Sequence, residues 1–136
     1  MDKQRKKVYD WQNKIVSPVD KSSVDISTAK SIVDYVWMDL GLEYPPQVSE
    51  FNSKTALGDA TRMQIRLRPS VPTWVVLHEI AHSLTAEPHG KSHQHNSRFV
   101  GVYVNLLVRY LHFDMLYIQY SLKEYGVEAS YEGHII

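Results

Sequence analysis

Five of the chain's seven histidines, His78, His82, His89, His93 and His95, lie within one short segment. Two of them flank a glutamate in His78-Glu79-Ile80-Ala81-His82, an H-E-x-x-H pattern. On an α-helix, residues four apart are separated by about 400° of rotation, so both imidazoles project from nearly one side and reach a single metal ion. Neutral imidazole nitrogens suit zinc at about 2.0–2.1 Å. Glu79, about 100° around the same helix, stands beside the ion rather than on it. There it is placed to act as general base toward water acidified by the ion, and then to pass the proton to a leaving group. Chance produces this pattern, at this histidine and glutamate content, with a probability of roughly 0.02. Val76, Leu77, Ile80 and Leu84 occupy nearly the opposite arc, which predicts one helix face for packing and one for binding.

A catalytic zinc site usually has three protein ligands and an open position. The third-ligand candidates are His89, His93, His95 and a glutamate. Glu124 and Glu128 lie far along the chain and belong to no motif. His89 and His93 fall in a stretch punctuated by Pro88 and Gly90, where exposed loop histidines are the expectation. His95 is the choice. If a helix starts at or just before it, His95 shares a sector with Phe99, Val102, Leu106 and Tyr110, the inward side. His112 and His134 stand alone and receive no role.

The elements that position these residues are legible from periodicity and punctuation. Val8, Trp11 and Ile15 predict an amphipathic helix from Lys3 to about Val16, ended by Ser17-Pro18. After a polar connector, Ser27 is expected to cap a helix whose inner face is Ile32, Val33, Val36, Trp37 and Leu40, with Gly41 at its end. Tyr44-Pro45-Pro46 breaks the chain before a first strand, Gln47 to Asn52. Alternation then predicts a strand from Thr61 to Arg68, with Met63, Ile65 and Leu67 inward and Arg62, Gln64, Arg66 and Arg68 in solvent. Trp74 to Thr85 is the motif helix and Glu87 to Ser92 a loop. A long helix follows from Asn96 to about Phe113, and Asp114 caps a last one from Met115 to Tyr125, stopped by Gly126.

With 136 residues and 43% apolar content, the chain forms one domain spanning 1–136. It has no cysteine, which excludes a disulfide scaffold, a thiolate zinc ribbon, an iron–sulfur site and a cysteine nucleophile. Fifteen Lys+Arg balance fifteen Asp+Glu, which argues against a protein that coats nucleic acid. Lys3, Arg5, Lys6 and Lys7, and Arg62, Arg66 and Arg68, are therefore read as solvated charge before a nucleic-acid surface. No apolar stretch follows the charged start, so no export signal or membrane span is expected, and a cytoplasmic location is the default.

His78-Glu79-Ile80-Ala81-His82, twelve residues, then His95-Asn96-Ser97-Arg98-Phe99, resembles short zincin-type metallopeptidases. In those, H-E-x-x-H precedes a histidine that opens a second helix as H-G-x-x-F. SprT-like proteases share the outline. The closer likeness is to small metallohydrolases of actinobacteria and their phages, which have an opening similar to Gln4-Arg5-Lys6-Lys7-Val8-Tyr9-Asp10-Trp11. One departure is Asn96, where the pattern often has glycine. The resemblance implies an α+β minimal zincin-like domain, a small antiparallel or mixed sheet packed on the motif helix. It implies zinc held by His78, His82 and His95, Glu79 as catalytic base, and a peptide or protein substrate. The strand Thr61 to Arg68 would be the sheet edge that takes an extended substrate, with Gly58 to Arg62 bordering the cleft. Tyr103 stands where related patterns often carry a tyrosine, which makes it a candidate to stabilise the oxyanion, although core packing with Phe99, Leu107 and Tyr110 at helical spacing is the stronger reading. Two further readings follow: a DNA-associated protease of SprT type, and a non-catalytic zinc-stabilised interaction module.

Overall fold

The computed structural model describes residues 2–87 and 94–131. His89, His93 and His134, and the expected loop from Pro88 onward to Ser92, lie outside the described residues. Among the described residues the chain is α+β. The helices are α1 (Arg5–Trp11), α2 (Ile26–Asp39), α3 (Thr73–Thr85), α4 (Ser97–Leu111) and α5 (Met115–Glu124). The strands are β1 (Val24–Asp25), β2 (Gln47–Glu50), β3 (Gly58–Ala60), β4 (Gln64–Leu67) and β5 (Ser70–Val71).

The expected unbroken α-helix to Val16 is corrected. At Gln12 the chain widens into a π-helical turn, Gln12–Val16, where Ser17 N donates to Gln12 O at 2.9 Å. A π turn inserts one extra residue per turn and is often found at functional sites. Here it leaves Trp11, Gln12 and Val16 all buried. Trp11 Nε1 donates to Ser121 Oγ at 2.9 Å, which ties this segment to α5. The cap of α2 is also corrected: Asp25, not Ser27, sits in extended backbone before the helix, and its carboxylate accepts from Thr28 N at 2.8 Å. Gly41, at φ +70°, ends α2 with Leu42 N bonded back to Trp37 O.

The main sheet is mixed, in the order β2-β4-β3, with β2 parallel and β3 antiparallel to β4. Two expectations fail here. The strand read from Thr61 to Arg68 begins only at Gln64, because Thr61 and Gln64 close a tight turn in which Thr61 N bonds Gln64 O at 2.8 Å and Thr61 Oγ1 accepts from Gln64 N. Met63, on that turn, is exposed rather than in the core. Moreover β4 is the central strand, with Ile65 and Leu67 fully buried, so the edge on this side belongs to β3. A separate pair, β1 with β5, ties the connector after α1 to the entry of α3.

Helix α3 is buried throughout from Trp74 to Ser83 and packs chiefly on α4. Both faces are covered: the apolar one by the core, and the histidine one by α1 and the start of α4 around a cleft, as one face for packing and one for binding require. Its apolar side, with Leu77, Ile80 and Ala81, meets a core that includes Trp37, Ile65, Leu67, Leu106 and Leu107. Its start is held by Asp20, whose carboxylate accepts from Trp74 N at 2.8 Å. Helix α4 starts after Asn96, whose side chain accepts from Phe99 N at 3.0 Å. That N-cap fixes His95 one residue ahead of the cap and two ahead of the helix, so His95 does not open the helix itself. No helix among the described residues is long and apolar enough to cross a membrane.

Candidate metal centre

The i, i+4 spacing on α3 brings His78 and His82 together, with ring centroids 4.9 Å apart. The Asn96 cap delivers His95 from the other side, 4.7 Å from His82 and 5.5 Å from His78 by the same measure. One nitrogen from each of the three lies within 4.8 Å of the others, and all three residues are buried. His82 Nε2 and His95 Nε2 face each other at 3.2 Å. Two nitrogens bound to one tetrahedral ion at about 2.0–2.1 Å lie about 3.3 Å apart, so this pair already has the separation of shared ligands. Three buried histidines in this arrangement could hold a metal ion.

Protonation state agrees. Burial drives the His78 imidazole well below its ordinary value of 6.5, and the neighbouring His82 and His95 reinforce it. His95 is lowered too, by burial first, with the Asp2 carboxylate pulling the other way. Neutral imidazole is the ligating form. On two of the three the far ring nitrogen is occupied: His78 Nδ1 donates to Gln12 Oε1 at 2.6 Å, and His95 Nδ1 to Asp2 Oδ2 at 2.6 Å. That leaves Nε2 of His78 and of His95 as the atom that could coordinate an ion. Phe99 stacks on His82 at 4.2 Å and Tyr9 lies parallel to His78 at 6.2 Å, so the rings are also held by packing.

Glu79 is buried beside the histidines, and its Oε1 has no hydrogen-bond partner among the described residues. Desolvation, with the Asp59 carboxylate second, pushes its carboxyl up to about 8. An isolated carboxylate is costly in such a place, so the fold keeps a proton there unless positive charge is supplied. The orphaned oxygen thus matches the three-nitrogen donor set: both are what a cation would satisfy.

A cleft of about 510 Å³ opens on these groups, lined by all three histidines and Glu79, by Arg5 and Tyr9 of α1, and by residues 58–61. An adjoining chamber of about 340 Å³ shares Arg5, Tyr9, Gly58, His78 and Glu79 and extends to Asn13 and Trp74. The wall formed by β3 has a defined polarity. Leu57 O and Thr61 N bond across to Arg68 and Gln64, so antiparallel alternation turns the backbone groups of Gly58 and Ala60 away from β4, toward the free edge. Asp59 and Arg66 form an ion pair on this wall, with Arg66 Nε at 2.8 Å from Asp59 Oδ1.

Tyr103 does not reach the cleft. It is fully buried, and its hydroxyl donates to Gln12 Oε1 at 2.8 Å, behind His78. The tyrosine that lines the cleft is Tyr9, which sequence reading passed over, as it passed over Asp2 and Gln12. The three predicted arginines are dispersed: Arg66 pairs with Asp59, Arg62 lies over Trp37, and Arg68 borders a different surface hollow. Glu124 and Glu128 line neither chamber. No family model, no curated protein and no solved structure matches the chain, so its reading rests on this geometry.

Proposed function

We propose that the chain is a zinc-dependent metallohydrolase of zincin-like architecture that cleaves peptide bonds. The observation that carries the reading is the convergence of three buried imidazoles with a buried Glu79, one oxygen of which has no hydrogen-bond partner among the described residues, in a cleft bordered by the outer edge of β3. Zinc held by His78, His82 and His95 would supply Lewis acidity toward water and a substrate carbonyl. The cysteine-free donor set of nitrogen ligands suits that ion.

The chain's own groups have distinct tasks. Glu79 carries its proton at neutral pH when alone, and positive charge beside it favours the carboxylate, so it can take a proton from water and return it to a leaving amine. Tyr9 and Arg5, both lining the cleft, provide hydrogen-bond donors for charge that develops on the carbonyl oxygen. Gly58 and Ala60 offer outward backbone groups to which an extended peptide can add as a strand. That assigns to β3 the substrate-binding role first expected of the strand after it.

The test is a digest of an unbiased peptide library by the zinc-loaded chain and by its Glu79→Gln variant. Cleavage by the first, reduced at least a hundredfold in the second at equal zinc content, is expected. A chain that binds zinc and folds with it yet cleaves nothing would instead be a zinc-stabilised module.

A further inference from the structure

The imidazoles of the metal centre are oriented by one short piece of chain that precedes them by some sixty to ninety residues. Asp2 accepts from His95 Nδ1 at 2.6 Å, with the Asp2 side chain largely buried. Gln4 holds the same residue by its backbone, donating from Nε2 to His95 O at 3.0 Å, while its Oε1 accepts from Glu128 N. Gln12, on the π turn, is itself 3% exposed and accepts on one oxygen from both His78 Nδ1 and Tyr103 Oη. Its neighbours on this turn, Trp11 and Val16, are fully buried apolar residues. Burying an amide without these partners would be unfavourable, so its presence is explained by the donors it meets.

We infer that Asp2 and Gln12 are positioning residues for the metal ion: each fixes the tautomer and ring orientation of one ligand, and docking of the N-terminal segment thereby sets metal affinity. The inference rests on the metal reading above and not on any hydrolytic activity. A carboxylate on the far nitrogen makes an imidazole a better donor, and an amide oxygen does so more weakly; losing such a partner typically lowers metal affinity about 10–100-fold. Because binding couplings are reciprocal, a bound ion also holds the segment in place.

The experiment measures affinity of the full chain for zinc by competition with a chromophoric chelator, the visible spectrum of the cobalt-loaded chain, and the Tm in excess EDTA. Asp2→Ala is expected to weaken zinc binding 10–100-fold and to alter the cobalt bands while leaving the EDTA Tm within a degree or two. Asp2→Asn, which keeps a neutral acceptor, falls between it and the unaltered chain. Gln12→Leu weakens zinc binding less than Asp2→Ala does and also lowers the EDTA Tm, because the buried Tyr103 hydroxyl loses its partner, and Gln12→Glu restores affinity; where Gln12→Leu fails to fold, the Asp2 variants decide. Zinc affinity and cobalt bands in Asp2→Ala equal to those of the unaltered chain overturn the inference. So does an affinity loss accompanied by a matching fall in the EDTA Tm, which would mark Asp2 as merely structural. Should the unaltered chain take up neither ion, the metal reading falls and takes the inference with it.

Discussion

Gly58 lies directly against Glu79: a Cβ added to Gly58 would stand 3.0 Å from Glu79 Cγ, 2.9 Å from Leu67 Cδ2 and 3.0 Å from Arg66 O. The backbone oxygen is the contact that cannot swing aside. Any side chain at 58 therefore forces β3 away from β4 or displaces the Glu79 carboxylate. Gly58→Ala is expected to cost about 1–3 kcal/mol of stability, the usual range for overpacking. Hydrolysis should drop at least tenfold, because a base misplaced by a fraction of an ångström acts poorly. The histidines do not touch Gly58 in this way, so zinc content should be unchanged. Parallel assays of kcat/KM and zinc stoichiometry check the prediction, and loss of both together would contradict it.

The metal-free fold has a characteristic dependence on pH. Glu79 is held up to about 8 against an ordinary 4.5, so between those values the unfolded chain releases a proton that the fold retains. Stability from this group accordingly falls as pH rises. His78 acts in the opposite sense: burial lowers it well below 6.5, so on acidification past 6.5 only the unfolded chain gains the proton, and stability falls. His95, also lowered by burial, acts as His78 does; the histidines oppose Glu79 most strongly below 6.5, and Glu79 dominates above about 7. In EDTA, the unaltered chain should lose about 1 kcal/mol between pH 6.5 and pH 8. Glu79→Gln should gain slightly there, be more stable at pH 8, and show the acid loss more steeply. Urea unfolding across that range is the measurement; parallel curves for the two proteins would refute the assignment.

Removing a ligand separates His95 from the loop histidines. His95→Ala deletes one of three convergent nitrogens and should abolish stoichiometric zinc binding at micromolar metal, as should His78→Ala and His82→Ala. His89→Ala and His93→Ala, at positions outside the described residues, should bind zinc as the unaltered chain does. Elemental analysis after gel filtration decides the point. Full zinc retention in His95→Ala would remove it from the centre.

What was legible in the sequence had a short range. The i, i+4 spacing of His78 and His82 is a property of one helix, whereas His95, expected to open the next helix, precedes its N-cap and is delivered by the Asn96 cap instead of by a helical sector. Asp2 and Gln12 act on residues 93 and 66 positions away, and no spacing rule reaches that far. A trace of Gln12 was present all the same: it stands four after Val8 and three before Ile15, a polar side chain on an otherwise apolar stripe. The π turn that turns it inward has no such trace. The strand error has a local cause. Residues Thr61 to Leu67 alternate in polarity straight through a turn that contains no glycine, asparagine or proline, so the usual punctuation was missing. Once that turn is placed, the edge passes from β4 to β3, whose three residues Gly58, Asp59 and Ala60 have too little pattern to be read as a strand.

The free edge of β3 makes a prediction about substrate backbone. Its outward N–H and C=O groups come from Gly58 and Ala60, while those of Asp59 face β4. A peptide that pairs with this edge must do so at every second residue, because strand hydrogen bonds alternate. A cleaved peptide carrying single N-methyl groups, moved one residue at a time, should therefore lose cleavage strongly at alternate positions beside the scissile bond and weakly at those between. Each blocked bond should raise KM roughly tenfold or less, in line with a net hydrogen-bond worth of about 0.5–1.5 kcal/mol. kcat should change less, since these bonds hold substrate and transition state alike. A uniform effect along the peptide, or none, would mean that the cleft grips side chains rather than adding a strand, and would withdraw β3 from substrate binding without touching the metal centre.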